Sequence, residues 1–193
     1  MSRVCKGFRR LRKIETIRSM MRETRLHPAD LIYPIFVIEG ENIKNPVDSM
    51  PGVYQYSIDR LNEIMDKVKE SGISGVLLFG IPACKDEMGT QAYAKDGITQ
   101  RAVSYIKKNY PEIYCIVDVC LCEYTSHGHC GVVRWQIIND ETLPLLLSDV
   151  CEPCRSRSGY DSASDMMDGR VEAIRDALDL NGFEGIPIMA YSA

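Results

Sequence analysis

A parallel α/β sheet, wound as a barrel rather than doubly wound, is the fold the sequence predicts. Three observations lead there. Continuous apolar runs bounded by turn residues alternate with segments of helical period, the pattern of strand–helix–strand units whose strands are covered on both faces. The polar, unusual loops follow strands, from Glu39, Lys85, Cys122 and Ser164 onward, on the side where parallel architectures place their chemistry. No Gly-x-Gly-x-x-Gly or P-loop pattern follows the first strand, which leaves a nucleotide-binding sheet little support. The elements are expected to run only partway round the barrel.

Residues 1–29 are polar and basic, an arm that is extended or partly helical. Residues 31–37 read as a buried strand despite Pro34, a residue that avoids central strand positions. Residues 39–57 read as a loop with several turns, long enough to suggest a functional or interface role. Ser57 is placed to cap a helix carrying Leu61, Ile64, Met65 and Val68 on one face and stopped by Gly72. A second strand spans 76–82, and a charged, glycine-bearing loop spans 85–97. Residues 98–108 form a helix with Ala102, Val103 and Ile106 inward. A third strand spans 114–122, and a helix begins at 139–142 and continues to Leu147. Residues 168–180 form a helix with Val171, Ile174, Ala177 and Leu178 inward and Gly182 as its stop. The last strand spans 187–191.

The chain has 193 residues, 45% of them hydrophobic, and a net charge of −4, which fits one globular domain or part of a larger one. No apolar run is long enough for a bilayer, and the N-terminus has no apolar signal-peptide core. A cytoplasmic protein is therefore expected, with its eight cysteines as reduced thiols or metal ligands. The overall negative charge argues against nucleic acid as a partner. The arm, with Arg3, Lys6, Arg9, Arg10, Arg12, Lys13, Arg18, Arg22 and Arg25, reads as solvated or as hugging a protein partner.

The chemistry concentrates in residues 118–131. Strand alternation would point Asp118, Cys120 and Cys122 to one face, and a turn at Gly128 would return Cys130 to it. Three thiolates at one point suit a soft or borderline cation, zinc first, with a position left for water or substrate. Spacing alone also allows buried thiols acting as small hydrophobes. His127 and His129 each read as a fourth ligand or, more simply, as a solvent-facing residue.

Several stretches resemble the porphobilinogen synthase (5-aminolevulinate dehydratase) family: residues 30–37, 50–53, 78–82, 118–131 and 187–193, and the run Ser164-Asp165-Met166-Met167-Asp168-Gly169-Arg170. The resemblance implies a (β/α)8 TIM barrel, here incomplete at about the first five strand positions, with residues 1–29 as an N-terminal arm and 30–193 as partial barrel. It implies a lyase condensing two 5-aminolevulinate molecules to porphobilinogen in heme biosynthesis, in a homo-octamer assembled through the arm. It implies zinc on Cys120, Cys122 and Cys130, leaves room for magnesium at a second site, and places Asp118 and Ser164 against the substrate amino group. The bland roles are a strand-end carboxylate for Asp118 and a helix cap for Ser164. Arg170 reads as a structural ion-pair partner.

Two stretches depart from the family. Its Schiff-base lysines, the first directly after the run ending at Ala193, are expected beyond this sequence, while Lys67, Lys69, Lys107 and Lys108 read as solvated helix faces. Residues 151–163 are polar and contain Pro153, where a helix should end and a strand begin. One permissible codon choice, read in a shifted frame, gives an amphipathic helix end, a glycine stop and a strand. A local frameshift is therefore expected, with Cys151 and Cys154 not ligands and the stretch unable to fill a barrel strand. A non-catalytic zinc-binding or oligomer-interaction relative, and a nucleic-acid module using the basic arm, are the competing readings. The purified 193-residue chain is expected to form no porphobilinogen from 5-aminolevulinate; turnover in a colorimetric pyrrole assay would overturn this.

Overall fold

The computed structural model describes residues 8–155 and 160–190. Seven strands form one sheet in the order β2-β3-β1-β4-β5-β6-β7. The strands are β1 Ile32–Ile38, β2 Lys44–Pro46, β3 Tyr54–Tyr56, β4 Gly75–Ile81, β5 Tyr114–Val119, β6 Tyr160–Ala163 and β7 Ile188–Ala190. The helices are α1 Glu15–Met20, α2 Asn62–Glu70, α3 Ile98–Asn109, α4 Asn139–Arg155 and α5 Arg170–Leu180. Every neighbouring pair is parallel except the antiparallel pair β2 and β3.

From β1 the order β4, β5, β6, β7 follows the chain without reversal. A doubly wound sheet reverses where its helices change faces. Here one face takes α2, α3, α4 and α5. Ile35, Val37, Val76, Leu78, Cys115 and Val117 share a buried cluster with Met65, Val68, Val103 and Ile106 of α2 and α3. Val119 and Ala163, register partners on β5 and β6, continue that face against Leu146 of α4 and Ile174 and Leu178 of α5. The intervening strand residues point to the other, concave face. Phe36 and Phe79 meet there with ring centroids 5.3 Å apart. A hollow of about 410 Å³ lies between Leu31, Ile32, Tyr114, Ile116, Ile188 and Met189.

The helices form where the apolar period predicts. Leu61, Ile64, Met65 and Val68 are buried at α2, as are Ala102, Val103 and Ile106 at α3. Two helices end on glycine through paired backbone bonds. Gly72 N–H donates to Lys69 O and Ile73 N–H to Val68 O; Gly182 N–H donates to Asp179 O and Phe183 N–H to Leu178 O. Both glycines have φ above +70°, the left-handed conformation that this cap requires. Pro34 is tolerated because β3 pairs with β1 only at Phe36 and Val37, so one side of β1 carries no ladder at Pro34.

The structure corrects several expectations. Residues 39–57 are not a plain loop; they hold the β2–β3 pair, whose β3 extends the sheet beside β1. Ser57 caps no helix: its hydroxyl accepts from Ile43 N–H at 2.8 Å, and a 3-10 turn over Ile58–Arg60 precedes α2. Val171 is exposed, and α5 starts at Arg170 after the left-handed Gly169 rather than at Asp168. The largest correction is at 151–163. Helix α4 runs on to Arg155, and Tyr160–Ala163 is a strand between β5 and β7. A parallel ladder is made by backbone groups, so polar residues can fill it when their side chains are satisfied. Ser162 is fully buried and its hydroxyl donates to Met189 O at 3.2 Å. The side chains of Cys151 and Cys154, and the residues after Arg155 to 159, lie outside what the structure describes.

Residues 1–7 and 191–193 also lie outside it. In the described part of the arm, α1 has no buried residue. Among the described residues, no helix is long and apolar enough to cross a membrane.

Leu78 is fully buried in the middle of β4. Leu78→Ala should lower unfolding free energy by roughly 2–5 kcal/mol, lost transfer energy plus the cavity left behind, measured as a lower urea midpoint at unchanged slope.

Candidate metal centre

The site grows from the C-terminal end of β5. The strand ends at Val119, so alternation delivers Asp118 and Cys120 to the concave side but does not deliver Cys122. Cys122 sits instead on a 3-10 turn, Leu121–Glu123, that brings its sulfur back to 3.1 Å from the Cys120 thiol, which donates to it. The loop then doubles back at Gly128, φ +73°, whose N–H donates to Thr125 O, and Cys130 returns to the same place. The three cysteine sulfurs lie within 4.8 Å of one another.

Hydrogen bonds hold this loop from several sides. Asp86 N–H donates to Tyr124 O, and Ser126 N–H donates to Asp86 O. The Asp86 carboxylate accepts from Met88 and Thr90 backbone N–H groups and from the Thr90 hydroxyl, a bond that leads the causes holding it below the usual carboxylate range. Thr125 hydroxyl donates to His129 O. At the loop's exit Gly131 packs on α4, where an added Cβ would stand 2.5 Å from Thr142 Oγ1, and that hydroxyl accepts from Val132 N–H.

Neither histidine joins the sulfurs. His127 Nδ1 accepts from His129 N–H at 3.1 Å and its Nε2 lies 3.3 Å from Glu87 O, so both ring nitrogens serve the loop backbone. Among the described residues, the convergent ligand group is the cysteine trio alone.

Beside it, Asp118 and Ser164 meet. Ser164 hydroxyl donates to Asp118 Oδ2 at 2.7 Å across 46 residues of sequence. The register pairs Asp118 with Ser162, which places the first residue after β6 next to the β5 carboxylate. Ser164 caps no helix, since the residue before α5 is Gly169. Asp165 is buried, accepts from Met167 N–H, and faces Arg170 at 3.6 Å. Burial pushes its carboxyl up, and the Arg170 guanidinium opposes that. Arg170 also donates to Met167 O, the structural role expected of it.

The three thiols are shifted in different directions. The bond from Cys120 pulls Cys122 down to about 7, whereas Cys120 is pushed up by donating that bond and Cys130 by burial. Piling three thiolates together without a cation is costly, and a divalent ion removes the cost. The geometry admits one. Sulfurs held ~2.3 Å from a tetrahedral zinc stand about 3.8 Å apart, a spacing this trio reaches with small side-chain adjustments. The all-sulfur donor set suits zinc and not a hard oxygen-seeking ion.

The sequence reading missed groups that hold the loop: Asp86, whose backbone meets Tyr124 and Ser126, Thr99, whose hydroxyl lies 2.7 Å from that of Tyr124, and Thr142, which accepts from Val132 N–H, because none of these pairs is adjacent in the chain. Of the lysines named from sequence, Lys67, Lys69 and Lys108 are exposed, and Lys107 lies over the Tyr114 ring at 5.6 Å.

A family model described as delta-aminolevulinic acid dehydratase matches residues 5–193. The protein of that name from Bacillus subtilis is 48% identical over 193 residues, which is 100% of this chain and 60% of that one. Its counterpart from Ruminiclostridium josui is 44% identical over 185 residues, 95% of this chain and 90% of that one. The crystal structure of delta-aminolevulinic acid dehydratase (porphobilinogen synthase) from Toxoplasma gondii, in complex with the reaction product porphobilinogen, superposes with a TM-score of 0.91. It is 36% identical and covers 95% of this chain and 53% of that one. The chain thus spans about 60% of the length of its Bacillus relative, and the described sheet is an arc of a (β/α)8 barrel.

In the metal-free chain, alkylation of Cys122 should rise with pH through a midpoint near 7, because only the thiolate reacts and the bond from Cys120 holds its pKa below that of an ordinary thiol. Buried Cys115, pushed up to about 12, should stay unreactive. Peptide mapping after timed iodoacetamide treatment checks both; a Cys122 midpoint at ~8.5 would contradict the assignment.

Proposed function

The chain belongs to the delta-aminolevulinic acid dehydratase family, and on that premise we propose that it serves the porphobilinogen synthase reaction, the condensation of two 5-aminolevulinate molecules to porphobilinogen. The observation that supports this most is the juxtaposition of a three-sulfur metal centre with the Asp118–Ser164 pair at the C-terminal ends of β5 and β6. Barrels of this type place their reacting groups at that end.

Each side chain has a role that follows from its chemistry. Cys120, Cys122 and Cys130 hold zinc, which when bound polarises a substrate carbonyl or activates a water as a Lewis acid. Asp118 offers a carboxylate to the amino group of the first substrate. Ser164, by donating to Asp118, leaves its own lone pairs to accept from that amine. The pair thereby orients the nitrogen while the sulfurs fix the metal beside it. Among the described residues no second group of three ligand side chains converges, so none is assigned to magnesium.

The arm supports assembly. Ile14, Met20 and Met21 lie exposed among basic residues on α1 and its flanks, apolar surface suited to a second copy of the chain. A homo-octamer built through this arm is the assembly proposed. A cytoplasmic setting, where thiols stay reduced, suits the three free cysteines of the site.

The test is metal and ligand linkage. Zinc should bind at one ion per chain, and Cys122→Ser should weaken it by about 10-fold or more. Millimolar 5-aminolevulinate or porphobilinogen should raise the melting temperature of the zinc-loaded chain, and Asp118→Ala should abolish that gain. Melting unmoved by either molecule would sink the substrate assignment.

A further inference from the structure

Of the three sulfurs, that of Cys122 owes its place to the 3-10 turn Leu121–Glu123 directly after the strand. What holds the turn is therefore what completes the site. Glu123, the last residue of that turn, reaches across to β4, where its Oε2 accepts from Gly80 N–H at 2.8 Å. The next residue, Tyr124, is buried and shares a 2.7 Å hydroxyl bond with Thr99 at the start of α3. Both contacts converge on Gly80. A Cβ there would collide with Thr99 Oγ1 and stand 2.5 Å from the Tyr124 hydroxyl. The end of β4 is thus a notch, open to the Glu123 carboxylate on its N–H and filled by Tyr124 over its Cα.

We infer that Glu123 is the positioning residue of the metal centre: its bond to the Gly80 N–H sets the turn so that the Cys122 sulfur stays beside Cys120 and Cys130. It is not a ligand, because its carboxylate is directed to β4 and the convergent ligand group excludes it. What the site takes from it is reach, not charge. This inference rests on the metal reading of the three cysteines.

Two mild substitutions separate reach from charge. Glu123→Gln keeps the length and an acceptor oxygen but loses the charge. Glu123→Asp keeps the charge but is one methylene too short to bridge to Gly80. Co2+ is titrated into the metal-free 193-residue chain and followed by its thiolate charge-transfer absorption. Amide exchange at Gly80 is measured in parallel without metal. Glu123→Gln should match the unsubstituted chain in both. Glu123→Asp should bind Co2+ about tenfold more weakly, the usual scale for groups that orient metal ligands, and should exchange faster at Gly80. The reverse order of affinities would show that charge is what matters and overturn the inference. Equal affinities in all three chains, or equal loss in both variants, would also overturn it. Unchanged Gly80 exchange in Glu123→Asp would do the same even if that variant bound no metal. Absence of the charge-transfer band in the unsubstituted chain would instead refute the metal reading itself.

Discussion

The register of β5 between β4 and β6 is the constraint on which the rest depends. Because Leu78 pairs with Val117 and Asp118 with Ser162, the ends of three strands fall level. Cys115, Val117 and Val119 then face the helices and are buried, while Asp118 and Cys120 face the concave side. A slip of one residue would exchange the two sets and bury the carboxylate against α3 and α4. The apolar run of β5 resists that slip, since Val117 and Val119 are almost wholly excluded from water in the observed register.

Beyond the strand, polar bonds take over from packing. The loop over 121–131 has Leu121 and Tyr124 as its buried anchors. Its path is otherwise set by Asp86, Thr125, Thr142 and Glu123, each satisfying backbone groups of a neighbouring segment. A backbone that no helix or sheet supports must find such partners when it is buried. The result is a frame that brings the sulfurs of Cys120, Cys122 and Cys130, spread over ten residues of sequence, within 4.8 Å of one another.

Much of this was legible in the sequence. Alternating apolar strands and amphipathic helices placed β1, α2, β4, α3, β5 and β7 close to their observed bounds, and a barrel arc of about five parallel positions was the right architecture. The cysteine loop stood out by residue type. What misled was equally local. Residues 151–163 lack the apolar residues of a buried strand, yet backbone pairing on both sides makes 160–163 one. The Cys122 face was inferred from a strand that stops three residues earlier, at Val119. Ser57 looked like a cap, and a cap was the bland alternative for Ser164, yet their hydroxyls serve partners 14 and 46 residues away.

The sequence by itself determined α2 and α3, the apolar cores of β1, β4 and β5 and the chemical identity of the clustered thiols, because period, turn residues and donor type are properties of neighbouring positions. Only the tertiary structure decided that Ser164 meets Asp118, that Glu123 reaches Gly80, and that His127 turns its ring nitrogens to the loop backbone rather than to the sulfurs. Those outcomes depend on which strand ends stand side by side. That is set by the lateral pairing of β4, β5 and β6, in which groups more than 40 residues apart compete for the same hydrogen bonds.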